Sequence, residues 1–310
     1  MWFKHLHLYR LHGAPRLAAE DLAAALAERA ARSPGGNEAR RLGWCPPAGR
    51  AGTDLLHELE GHRLLTALRQ ERLLPASVVR EEVEERSADL EAREGRKLRR
   101  QEKQGIKEQV LEELLPQAFV RRQRLDLWWD THRDLIAVNA SSRQRAEEVL
   151  DLLRDTLGSL KVTPLATRTL PMRAMTQWLT DADSRPADLQ LGDQVELKAK
   201  GDDGVLRARQ VDLDSDEIQQ LLEKGRQASK LAMAMEGRLG FVLHDDLALK
   251  SLRFDDALID QANDIEDDGD ALVRLEADFL LMAQALREQI EQLVGWLDGE
   301  ADTAPQPTSP

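Results

Sequence analysis

Residues 194–211, QVELKAKGDDGVLRARQV, decide the fold. Residues 194–200 and 205–211 read as strands. Gly201-Asp202-Asp203-Gly204 between them supplies the glycines and aspartates that a tight hairpin turn demands. Working outward, residues 231–235, 239–243 and 249–254 alternate as three further strands, with turns at Glu236-Gly237 and Asp245-Asp246. Ser215 caps a helix over 216–222 that turns Ile218 and Leu222 inward. Residues 271–297 place Leu272, Leu275, Phe279, Met282, Leu286, Ile290, Leu293 and Leu297 at helical spacing, the best amphipathic helix in the chain.

The first half follows the same grammar. Residues 2–11, WFKHLHLYRL, alternate and predict a strand with Phe3, His5, His7 and Tyr9 on one face and Leu6 and Leu8 on the other. A helix over 17–32 buries Leu22 and Leu26 and stops at Ser33-Pro34-Gly35-Gly36. The GWCPP segment, 43–47, is expected to be irregular because of its two prolines. Hairpins are expected over 55–69, turning near Gly61-His62, and over 125–138, turning around His132-Arg133-Asp134. Ser141 or Ser142 caps a helix that Gly158 ends. A short strand at 162–165, a short helix at 172–179 and a polar linker at 181–187 complete the half. The pattern is α+β, with antiparallel hairpins and sheets flanked by helices.

Residues 75–115 are different. Pro75 opens a helical stretch whose large apolar residues are sparse: Val79, Val83, Leu90, Leu98, Ile106, Val110 and Leu114. So little apolar surface predicts a projecting arm, or a stretch that folds back near Gly95 or Gly105. Within it, Arg93, Arg96, Arg100, Lys103 and Lys107 recur every three or four residues, which puts them on one face of a continuous helix; Lys97 and Arg99 widen the stripe. A solvated helix surface would also read this way. Arg121, Arg122 and Arg124 form a second basic cluster after Pro116 and Phe119.

The bulk numbers set bounds. Of 310 residues, 42% are hydrophobic and 32% charged, a globular composition. Aromatics are only 4%, too few for an extended base-stacking platform. A single cysteine, Cys45, excludes an internal disulfide and fits a reducing, cytoplasmic compartment. No apolar run reaches the length of a membrane span. Net charge is −13, unevenly spread: residues 1–180 carry 30 Lys and Arg against 26 Asp and Glu, and residues 181–310 carry 13 against 30. Phosphate responds to local potential, so the basic segments are compatible with a nucleic-acid partner.

Familiar catalytic patterns are missing. There is no GxxxxGK[ST] and no GxGxxG. His5 and His7 share a face without a third ligand at telling spacing. Residues 264–269 resemble the start of a calcium loop but lack its closing glutamate, since Leu275 holds that position. No catalytic residue, metal ligand or cofactor is expected.

Several segments in register, MWFKHLHLYRL at the start, GWCPP, LEELLPQAF (111–119), LGSL (157–160), VLRAR (205–209) and EADFLLM (276–282), resemble the recombination-associated RdgC family over nearly the whole chain. The resemblance implies a non-enzymatic, nucleoid-associated protein. Its horseshoe-shaped subunits would pair into a homodimeric ring around double-stranded DNA, with single strands a second possibility. Binding would be sequence-nonspecific and would restrain the RecA recombinase. Carried onto this chain, the DNA-binding set is Arg93, Arg96, Lys97, Arg99, Arg100, Lys103, Lys107, Arg121, Arg122, Arg124, Arg207 and Arg209. Leu115, Pro116 and Phe119 would lie where two subunits meet. Residues 1–75 and 125–180 are expected as the N-terminal part of the body, 76–124 as the arm, 181–300 as an acidic C-terminal part and 301–310 as a disordered tail. Two alternatives remain: an inhibitor that acts on the recombinase through its acidic half without DNA, and a metal-dependent nuclease built on that half.

Overall fold

The computed structural model describes residues 2–13, 17–199, 201, 204–235, 239–264 and 269–302. The strands are β1 (His5–Leu11), β2 (Arg40–Cys45), β3 (Leu56–Leu59), β4 (His62–Arg72), β5 (Val120–Asp130), β6 (Leu135–Asn139), β7 (Val162–Pro164), β8 (Leu189–Lys198), β9 (Val205–Arg209), β10 (Gln227–Met235), β11 (Leu239–His244) and β12 (Leu249–Phe254). The helices are α1 (Ala19–Glu28), α2 (Ala76–Glu94), α3 (Arg100–Leu114), α4 (Arg143–Leu157), α5 (Pro171–Thr180), α6 (Asp216–Glu223), α7 (Asp256–Asn263) and α8 (Ala271–Trp296). The twelve strands form one sheet in the order β2-β4-β5-β6-β1-β12-β11-β10-β8-β9, with β3 added to β4 and β7 to β1. The fold is mixed α+β.

β1 joins the two halves. It pairs β6 through His7–Val138 and β12 through His5–Lys250, both antiparallel. Its alternation works as the sequence implies, with one departure. Leu6 and Leu8 bury on one face and Tyr9 on the other, but Phe3 joins Leu6 and Leu8. The strand begins only at His5, so the two-residue period does not govern Phe3, whose amide meets the Met282 thioether at 3.1 Å.

Helices cover the sheet unequally. Beside β1, β5 and β6, α1 and α4 bury Leu22, Leu26, Val149 and Leu153 against Tyr9, Leu127, Trp129 and Val138. On the other face, α8 lays Phe279, Met282, Leu286 and Ile290 in one core with Leu6, Leu8 and Trp128 of the first half and Val195, Leu231 and Leu243 of the second. Each such side chain contributes about 1.5–3 kcal/mol on burial, so α8 is the main fastener between the halves. The opposite face of β8–β12 carries no buried apolar cluster among the described residues and stays open.

Local signals explain the elements. Ser142 accepts the Arg145 amide as N-cap, and Gly158 ends α4 at φ +74°. The β3–β4 turn places Glu60 and Gly61 at φ +48° and +77°. At Gly61 a Cβ would lie 2.2 Å from the His132 ring, so a larger residue would have to displace that ring as well as adopt positive φ. The GWCPP segment differs from expectation. Gly43, Trp44 and Cys45 belong to β2, paired to β4, and irregular backbone begins only at Pro46. The prolines follow the ladder instead of interrupting it. The helix α7 was not legible either. The calcium-like residues 265–268, the hairpin positions 200, 202 and 203, the Glu236-Gly237 turn and tail residues 303–310 lie outside the described residues.

Candidate nucleic-acid interface

The arm is a helical hairpin. α2 ends at Gly95 (φ +67°), whose amide still bonds the Glu91 carbonyl at 2.9 Å, and α3 starts at Arg100. Val79, Leu98, Ile106 and Val110 bury together between the two helices. The break corrects the continuous basic stripe. Arg93 lies in the last turn of α2, Arg96, Lys97 and Arg99 in the connection, and Arg100, Lys103 and Lys107 on α3. Leu98 is the physical reason. One apolar residue in a basic run is drawn into the arm's small core, and glycine three residues earlier permits the reversal. Of the two fold-back points, the chain uses Gly95; Gly105 lies inside α3.

Two carboxylates organise the turn. Glu91 accepts Lys97 at 2.9 Å, the Leu98 amide at 3.0 Å and Lys103 at 3.3 Å. Glu102 accepts the Arg96 guanidinium at 2.6 and 2.9 Å and the Arg99 amide at 2.7 Å, closing the start of α3. The Lys97 ammonium and then the Leu98 amide hold Glu91 down to about 2; Arg96 and then the Arg99 amide do the same for Glu102. Arg96, Lys97 and Lys103 are thus ion-paired, while Arg93, Arg100 and Lys107 have no carboxylate partner among the described residues. All six are exposed. Surface pairs of this kind are worth about 0–1 kcal/mol, little enough for a phosphate to displace the carboxylates.

At the arm's root, a 3₁₀ turn over Leu115–Gln117 leads into β5. Leu115 is half-buried and Pro116 exposed. The Leu73 amide bonds the Phe119 carbonyl at 2.8 Å, which fixes the backbone there, yet the Phe119 side chain is 86% exposed beside exposed Leu73 and Val120. A large ring held in water by ordered backbone is the one strongly unsatisfied apolar group on this edge.

β5 divides its cations between two faces. Arg121 points with Leu125 and Leu127 toward the α4 side and meets Glu71 at 2.7 Å; Arg69 binds the same carboxylate at 2.7 Å. Arg69 and then Arg121 hold Glu71 down to about 2. Arg122 and Arg124 point the other way. Arg124 donates to the Pro46 and Pro47 carbonyls at 2.9 and 2.7 Å, and Arg122 is exposed without a partner among the described residues.

Arg207 and Arg209 project from β9 onto the open face. Arg207 bonds Glu196 at 2.8 Å, and Lys230 reaches the same oxygen at 2.9 Å. Burial pushes the Glu196 carboxyl up, but Lys230, Arg207 and Ser229 outweigh it and bring it to about 2. Arg209 is exposed and unpaired among the described residues. The face also holds Lys250, His244 and Ser251, which line an open cavity of about 200 Å³ with Arg207 and Arg209. Sequence reading missed Lys230 and Lys250. They are polar positions in alternating strands, but which sheet face lacks a helix is not written locally. Among the described residues no three His, Cys, Asp or Glu side chains converge at metal-binding spacing, and no helix is long and apolar enough to cross a membrane.

The family comparison agrees with the earlier resemblance. Residues 1–300 match a family model described as "Putative exonuclease, RdgC". The chain is 41% identical over 301 residues to the recombination-associated protein RdgC of Pasteurella multocida, covering 97% of this chain and 98% of that one. It is 40% identical over 302 residues to the protein of the same name from Salmonella typhimurium, covering 97% and 99%. The chain belongs to the RdgC family of recombination-associated proteins.

Proposed function

We propose that this protein binds DNA without reading its sequence and without cutting it, and that two copies close around duplex DNA as a ring. Such a ring would restrain RecA-dependent recombination by occupying the duplex, in the cytoplasm at the nucleoid. No cofactor is needed. Phosphate tracking asks for exposed, exchangeable cations and no base-reading code. The arm, β5 and β9 offer such cations. The acidic remainder would repel DNA elsewhere.

The observation that carries this reading is the placement of two basic clusters on widely separated strands of one sheet. β5 and β9 are seven strand steps apart, about 34 Å at the usual strand spacing. At roughly 20–25° of twist per step, the sheet turns by roughly 150° between them. Such a rotation would bring the Arg122–Arg124 face and the opposite, open face of Arg207 and Arg209 toward a common side. A ligand touching both must be long and must lie in a concavity, which suits a duplex in a horseshoe-shaped subunit. Phe119, with Leu115 and Pro116, is the candidate contact between subunits.

Replacing Arg96, Arg100 and Lys103 together by glutamate tests the reading. Loss of duplex binding at low salt with an unchanged circular dichroism spectrum supports it; unchanged affinity overturns it. The exonuclease in the matched family's description favours a nuclease instead. Incubating plasmid with the protein and magnesium decides between them, since progressive degradation would establish the enzyme. A nuclease-insensitive pull-down of RecA would favour the acidic half as a direct inhibitor.

A further inference from the structure

The open face of β8–β12 contains a lysine held in an unusual way. Lys250 donates from Nζ to His7 Nε2 at 2.6 Å and to the Ala140 carbonyl at 3.0 Å. A charged Nζ can only donate, so the His7 nitrogen then accepts without a proton of its own, and neither partner is an anion. No carboxylate lies within ion-pair distance of it among the described residues. The charged and titratable groups around it are His5 and His7 on β1, Lys230 on β10, His244, Asp245 and Asp246 at the β11–β12 turn, and Arg143 at the start of α4. Asp245 is engaged by Lys198 at 2.8 Å, which leaves Asp246 as the main anionic influence. Lys250 also borders the open cavity that Arg207, Arg209 and Lys230 line.

We propose that Lys250 is a covalent acylation site that takes an acyl group from a small acyl phosphate. The Nζ lone pair attacks the acyl carbonyl carbon, a C–N bond forms, and the C–O bond to phosphate breaks. The proton shed by nitrogen passes by way of His7 Nε2, 2.6 Å away, to the departing phosphate, which takes the bonding pair and leaves as the hydrogen phosphate dianion. An acyl phosphate suits the site because Lys230, Arg207 and Arg209 attract the dianionic leaving group at the cavity's rim. Burial brings the Lys250 ammonium down to about 8, against a small opposing effect of Asp246. A useful fraction of the amine is therefore deprotonated near neutrality, where an ordinary lysine is almost wholly charged. Acylation would remove one cation from the open face.

The test uses the full chain, acetyl phosphate at pH 7.5 and peptide mass spectrometry, with no DNA present, so its outcome is independent of the reading above. Lys250 is expected to acetylate at least tenfold faster than exposed Lys161 and Lys224, since each unit of lowered pKa raises the share of deprotonated amine about tenfold and the weaker basicity of the amine offsets only part of that gain. His7→Gln should slow Lys250 several-fold and leave Lys161 unchanged. Labelling of Lys250 no faster than of the two surface lysines overturns the site. An unaltered rate in the His7 variant overturns the proton transfer to histidine.

Discussion

Arg287 of α8 forms a two-pronged ion pair with Asp130 at the end of β5, at 2.6 and 3.0 Å, and Asp130 is completely buried. The carboxylate also accepts the His132 and Arg133 amides that shape the β5–β6 turn. One residue of the last helix thus neutralises a charge sealed inside the N-terminal sheet. The buried His62–Trp128 bond, 3.0 Å, lies beside it.

Breaking this pair from one side strands a buried charge. Arg287→Met is expected to destabilise the protein by about 3–5 kcal/mol, read from urea unfolding followed by tryptophan fluorescence. A loss under 1 kcal/mol would show that water reaches Asp130 readily.

The arm has its own small core and should unfold apart from the body. Val110→Ala, at a fully buried position, is expected to cost about 1–3 kcal/mol locally. Hydrogen exchange would show faster exchange across α2 and α3 with α8 unaffected. Uniform acceleration throughout the chain would mean that the arm and body unfold as one unit.

If β5 and β9 touch the same duplex, Arg122→Ala and Arg209→Ala should each flatten the plot of log affinity against log salt by about 0.9, and together by about 1.8. A change from only one of the two would place the DNA on a single cluster and end the two-sided reading.

Phe119 contributes little to the folded monomer because it is 86% exposed. Phe119→Ala should leave stability within about 0.5 kcal/mol and halve the mass seen by sedimentation. Retention of a dimer would move the subunit contact elsewhere.

Stability should fall as pH drops from about 6.5 toward 4. Burial first, and then Lys250, brings His7 down to about 4, and His5, His62 and His244 are lowered in the same direction, in each case chiefly by burial. The unfolded chain then binds protons that the folded chain refuses, so stability is full above 6.5 and is lost as pH falls through that window. Urea midpoints measured between pH 7.5 and 4 should show this, and His7→Gln should make the decline shallower. A midpoint that rises on acidification would reverse the assignment.

Much of the fold was legible because local chemistry agreed with the final structure. The Leu272–Leu297 periodicity, the Ser142 and Gly158 caps and the hairpin turns each need only neighbours in sequence. α7 and the β2 strand were not legible: the first is short, and the second runs directly into two prolines that cannot continue a ladder. The basic residues were visible as types, but not their roles. Arg96, Lys97 and Lys103 share carboxylates across the arm's turn, and Arg121 is split from Arg122 by the pleat.

By itself the sequence determined the α+β class, the antiparallel hairpins, the family and the helical character of residues 76–114, since alternation, capping and motif order are local properties. Tertiary structure alone decided the rest. It folded the arm at Gly95 by burying Leu98, joined the halves through β1 and the Arg287–Asp130 pair, and left one face of β8–β12 without a buried apolar cluster among the described residues. That open face carries half-buried Lys230 and Lys250 beside exposed Arg207. Whether a strand's polar side meets water or a helix depends on packing between segments far apart in the chain, and no local pattern encodes it.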